Sequence, residues 1–204
     1  TALEYLVAEA RGAGGQGAQP SASVLVENAC SAARGFPDCD NTDRITMIQP
    51  LVGYARCKVT GDGGSIVAVA NVRVTPASPL VCCLNGPGFA RQVAFLKDGA
   101  ITPAFLEHAG SCSFRYRPIV NAPVGSLVDA RIIIADVKTF YREPGPAPGT
   151  PGRLVMHMDL DGNGSLIGER LYLANDILDF QGRLTGPRLG MSVVAGERHP
   201  SGSR

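Results

Sequence analysis

The amino-acid sequence predicts a mainly β fold, an antiparallel β-sandwich or jelly roll carrying one or two short helices. Three observations predict it. Several stretches alternate apolar and polar residues with the period of a half-buried strand. Glycine and proline punctuate the chain between these stretches, 25 and 15 of them in 204 residues. Strand-like segments do not alternate with long helical ones, as a doubly wound parallel sheet requires.

Residues 1–20 read as a helix and a linker. Thr1 and Glu4 have capping-box spacing, and Leu3, Leu6, Val7 and Ala10 share a helical face. The following Gly12–Gly17 spells G-x-G-x-x-G, but a dinucleotide loop must follow a strand and open a helix. Here a helix precedes it and Pro20 closes it, so a flexible linker is expected.

Residues 21–142 form the expected β-sandwich. Ala55, Cys57 and Val59 alternate with polar neighbours, a Gly-rich turn follows at 61–64, and Ile66 to Val74 returns, which is a hairpin. Cys112, Phe114 and Tyr116 alternate with Ser113, Arg115 and Arg117 in another one-face-wet strand. In the longest candidate, 127–142, the polar phase moves from Asp129 and Arg131 to Asp136 and Lys138. One extra residue near Ile133–Ala135 repairs the alternation, so a β-bulge is expected there, with an isoleucine run buried on both faces as the alternative.

Residues 143–152 read as an extended Pro/Gly connector, because prolines cannot join a ladder and stiffen the backbone. Residues 153–204 are few for a core of their own and are expected to dock on the main domain or on a neighbour. Leu154, Met156, Met158 and Leu160 form one strand face there, and Arg153, His157, Asp159 and Asp161 the other. A turn at Asn163-Gly164 leads into a returning strand, then a short helix from Asn175 stopped by Gly182, and an irregular tail.

Composition narrows the function classes. A net charge of +1 gives no long-range field to gather nucleic acid or an anionic membrane. The stretch from Gln181 to Arg204 is mildly basic but lacks interleaved aromatics for base stacking. No run approaches the ~18 apolar residues of a spanning helix, and no signal-peptide pattern is visible. Sixteen arginines against three lysines suit lasting polar contacts, although genomic base composition explains the bias as well. Six cysteines permit three disulfides, yet a domain of this size does not need them. Cys30 and Cys39 flank a short polar loop and are the one expected bridge, with most other cysteines free.

The sharpest local motif is Asp159-x-Asp161-Gly-Asn163-Gly-Ser165, whose alternate oxygen ligands are how calcium loops are built. Loop position twelve is Arg170 rather than the bidentate Glu such a site needs, so an ordinary hairpin turn is expected, with Ca2+ at Asp159, Asp161 and Asn163 as the alternative. Asp38, Asp40 and Asp43, and Asp176 with Asp179, read as solvated loop acids. His157 with Asp159 is the one His–Asp pair at same-face strand spacing, but an exposed strand histidine is the expected reading. No G-x-S-x-G, H-E-x-x-H or phosphate loop is present.

The sequence therefore points to a structural protein that self-associates, most concretely a viral coat or shell subunit. An extracellular or surface binding module, with Asn163-Gly-Ser165 as a glycosylation sequon, is the alternative. A hydrolase assembled around His157 comes third. The compartment stays open, the virion for a coat protein and the extracellular space otherwise.

Overall fold

The computed structural model describes residues 1–13, 23–30, 39, 41–51, 57–62, 70–76, 90–110, 113–119, 126–147, 149–159, 169–186 and 188–196. The fold is mainly antiparallel β, sandwich-like, with one described helix. In chain order it runs α1 (Ala2–Gly12), β1 (Val24–Glu27), β2 (Arg44–Pro50), β3 (Cys57–Asp62), β4 (Ala70–Pro76), β5 (Ala90–Lys97) and β6 (Ala100–Gly110). It continues through β7 (Ser113–Pro118), β8 (Arg131–Glu143), β9 (Gly152–His157), β10 (Arg170–Thr185) and β11 (Arg188–Ala195).

Strand β8 organises everything else, because it belongs to two curled sheets in succession. Its first residues lie between β3 and β5, with Ile132 opposite both Cys57 and Phe95. From β3 the pairing passes to β4, β7, β6 and back to β5, which closes a ring with β8. Inside this ring lie Val59, Val93, Phe95, Ala104, Leu106, Tyr116, Ile132 and Ile134, all buried. Closing a sheet on itself removes its edges. Farther along, β8 lies between β2 and β9, with Thr139 opposite Thr46 and His157. The second sheet runs β1, β2, β8, β9, β10, β11. Between the two neighbours β5 and β9 the edge of β8 would be open at Val137, and the Gln92 side-chain oxygen accepts that amide at 2.9 Å.

This double membership explains why β8 departs from simple alternation. Ile132 and Ile134 fill the ring, while Ile133, Ala135, Val137 and Tyr141 pack in a layer between the second sheet and the outer wall of β5 and β6. The pairings of β8 carry no register shift, so the expected bulge at 133–135 is absent and the run is buried on both faces. Lys138 is polar because it meets Glu9 of α1 at 2.6 Å, not because the phase slips.

Helix α1 forms with its capping box in place, Thr1 accepting from the Glu4 amide. Its sealed face centres on Leu6, with Ala2, Ala10 and Ala13. Leu3 is 46% exposed and does not share that face, a correction to the pattern expected from spacing. The helix lies over Phe140, Leu154, Met156, Ile177 and Phe180, the interior of the second sheet.

Beyond β8 the chain differs most from the reading above. The Pro/Gly segment is the loop of a β8–β9 hairpin rather than an extended arm, since Glu143 pairs with Arg153 across its base. Pro144, Pro146 and Pro151 sit where no ladder amide is needed. The helix expected from Asn175 does not form, because residues 170–185 are one strand of 16 residues. Register shifts at Tyr172/Ala174 and Asn175/Ile177, with Asp176 at φ +59°, break the period of two and hide the strand. The tail is also regular as far as Ala195, with β11 pairing back on β10 around Gly186 at φ +59°. The far half of β10 bends over the start of β2. There the Asp43 amide donates to the Phe180 carbonyl, and a β-carbon on Gly182 would sit 2.6 Å from Ile45 Cδ1.

Candidate functional site

The polar groups that the fold gathers most deeply lie on the face of the second sheet that looks toward the ring. Cross-strand pairing places Arg44 opposite Tyr141 and His157 opposite both Thr139 and Arg170. Same-face residues two apart on each strand then bring Glu27, Arg44, Tyr141, Glu143, Arg153, His157 and Arg170 together. Arg44, Tyr141 and His157 are buried, at 1%, 0% and 4% exposure. The Tyr141 hydroxyl and His157 Nε2 are 3.2 Å apart, with the rings edge to face at 5.3 Å between centroids. Arg44 Nε lies 3.6 Å from Glu27, and its Nη2 reaches the Cys39 sulfur at 3.9 Å. Cys39 is joined to Cys30 as expected, so the disulfide caps this end of the cluster.

Burial and two flanking guanidinium groups set the charge state of the pair. Burial, then Arg170 and Arg44, lower the His157 pKa to about 4, so the imidazole is neutral at neutral pH. Burial, opposed by Arg170 and reinforced by Glu143, raises Tyr141 to about 12. At the rim Glu143 accepts from Arg153 at 2.6 Å and from Arg170 at 2.7 Å. Arg153 also covers the ring of Tyr172, 4.1 Å from its centroid. Next to this rim, a cleft of about 490 Å3 is lined by Pro144, Pro146, Pro151, Arg153, Asn175 and Asp176.

The sequence-derived candidates fare unevenly. His157 is at the end of β9 and buried, not exposed, because β9 is covered on both faces. The Tyr141 phenol beside it holds its proton firmly, which makes a poor nucleophile. Asp159 lies past the strand end and is half-buried, while Asp161 and Asn163 lie outside the described residues. Among the described residues no group of His, Cys, Asp and Glu is placed to hold a metal ion. The side chains of Cys57, Cys82, Cys83 and Cys112 also lie outside them, as do the Gly-rich linker from residue 14 and the turn at 63–69.

Asp43 is no solvated loop acid. It is 3% exposed, and its two oxygens accept from the Ala29 amide at 3.0 Å and the Gly182 amide at 2.8 Å. Arg142, also buried, donates from Nε to the Ile177 carbonyl and from Nη2 to the Thr150 carbonyl, which ties the proline loop to the β10 bulge. The sequence pattern does not single out Arg44, Tyr141 or Arg142, and Arg170 stands out there only as the residue at loop position twelve. The available signal was a charged or hydroxylated residue within a run otherwise buried.

No family model matches the chain, and neither a curated protein nor a solved structure matches it. No described helix is long and apolar enough to cross a membrane.

Proposed function

We propose that this chain is a structural protein that self-associates, a coat or shell subunit of the β-sandwich kind. The observation that carries the reading is the edge formed by β11. Among the described residues it pairs on one side only, with β10. From Leu189 to Ala195 it carries no charge and no proline, the devices that normally blunt an edge. Leu189, Met191 and Val193 are only partly covered on its inner face, and Val194 is 47% exposed on the outer. An antiparallel pairing of two β11 strands about a twofold axis satisfies both edges and brings no like charges together, with Arg188 falling near Ala195 of the copy.

The test is molar mass by light scattering against protein concentration, for the wild type and for Ser192→Lys with Val194→Lys. Concentration-dependent oligomers that the lysines dissolve support the reading. A strict monomer at high concentration defeats it. Repeating the measurement with chelator and with Asp159→Asn asks whether Ca2+ at Asp159, Asp161 and Asn163 contributes to assembly.

A second reading, an extracellular binding module, draws on the Cys30–Cys39 disulfide, which suits an oxidising compartment. The same strict monomer would favour it.

A further inference from the structure

The sheet brings together basic side chains that are far apart in sequence. Leu184 and Leu189 turn toward the core, so their neighbours Arg183 and Arg188 stand on the opposite, exposed face. On the same face lie Arg153 and Arg170, both reaching Glu143, and Tyr172, 50% exposed beneath Arg153. Three described carboxylates lie close by. Glu143 is shared by the two arginines, Asp179 accepts from Gln181 at 2.8 Å, and Asp176 occupies the bulge at the border. Among the described residues of this face four arginines stand against these three carboxylates, and the two arginine pairs sit at most about 40 Å apart along β10 at ~3.3 Å per residue, a path its bulges shorten.

We propose that this face of β9, β10 and β11 binds single-stranded nucleic acid. Arginine clusters at both ends provide phosphate contacts along an extended backbone. The Arg153–Tyr172 stack provides a flat π platform, which a base recognises and a merely anionic polymer does not. A sheet face with an exposed aromatic suits unstacked bases better than a duplex, whose bases are hidden. The sequence concealed this because Tyr172 and Arg153 lie outside the basic stretch and join it only through strand pairing. The inference goes beyond the assembly reading and stands without it.

Fluorescence anisotropy of the full chain tests it, using a labelled oligothymidylate of about twelve nucleotides, inside the ~4–16 nucleotide footprint of single-strand binders. Saturable binding is expected at low salt. Engagement of about three phosphates gives a slope of log affinity on log salt of about −2. Arg183→Glu with Arg188→Glu should weaken binding at least tenfold, and Arg188→Gln by a smaller factor. Tyr172→Ala should weaken oligonucleotide binding about tenfold while leaving binding of heparin unchanged. All three positions are exposed, and circular dichroism verifies that each variant keeps the wild-type fold. No binding at low salt, or binding indifferent to the charge reversals, overturns the proposal. Equal binding of heparin and oligothymidylate with no effect of Tyr172→Ala also overturns it, leaving a polyanion site only.

Discussion

Replacing Asp43 by alanine tests whether one buried carboxylate holds the far half of β10 against the start of β2. In the wild type its oxygens accept from the amides of Ala29 and Gly182, which belong to elements far apart in the chain. Removing the carboxylate breaks two hydrogen bonds to a charged group, each contributing ~1.5–3 kcal/mol, and leaves two amides without their acceptor. The expected loss is about 3–5 kcal/mol, a large share of the ~5–15 kcal/mol that holds a domain folded. Asp43→Asn keeps the shape but turns an NH2 group toward one of the two donors, so an intermediate loss of about 2–3 kcal/mol is expected. With no tryptophan in the chain, urea unfolding followed by far-UV circular dichroism is the natural assay. Amide exchange adds a local readout, since the Gly182 amide should lose protection in Asp43→Ala. A loss under about 1 kcal/mol, with that amide still protected, would refute the clamp.

Three further outcomes follow from particular contacts. Gly182→Ala pushes a methyl group into the buried Ile45 side chain, 2.6 Å from Cδ1, and should cost about 1–3 kcal/mol by overpacking in the same unfolding assay. The His157 pKa of about 4 lies below the ordinary 6.5, so the unfolded chain binds the proton first as pH falls. Stability from this group is complete above about pH 6.5 and falls by about 3 kcal/mol on the way to pH 4, a slope that His157→Gln should flatten. Cys30→Ser opens a loop with sequence separation 9 and should cost about 2.5 kcal/mol, a loss that reductant reproduces on the wild type.

What the sequence disclosed and what it hid divide along one physical line. Local chemistry was legible. The capping box at Thr1 and Glu4 nucleates α1 where expected. The 57–76 hairpin and the alternation at Arg115, Tyr116 and Arg117 appear because a half-buried strand writes its environment at period two. The Cys30–Cys39 bridge was legible for the same reason, being close in sequence. Long-range pairing was not legible. A strand shared by two sheets loses its polar phase, so β8 read as bulged when it is continuous. A strand with register shifts loses its period, and β10 read as the end of a returning strand followed by a short helix.

The candidate site follows the same division, which explains why its residues read wrongly one at a time. Charge at a single position says exposed, and Asp43 and His157 were read so. A buried polar or charged group is tolerated only where partners from elsewhere in the fold satisfy it. Asp43 draws its donors from Ala29 and Gly182, Arg142 its acceptors from Thr150 and Ile177, and His157 its phenol from Tyr141. All of these partners except Ala29, which sits in the turn after β1, arrive through the folding-back of β8, β9 and β10. Replacing Arg142 by methionine, which keeps the stem and removes the donors, should therefore loosen both the proline loop and the β10 bulge at once. Proteolysis within 144–151 and amide exchange near Ile177 should rise together. If only the loop responded, Arg142 would be a local tie and the two ends of the hairpin would hold independently.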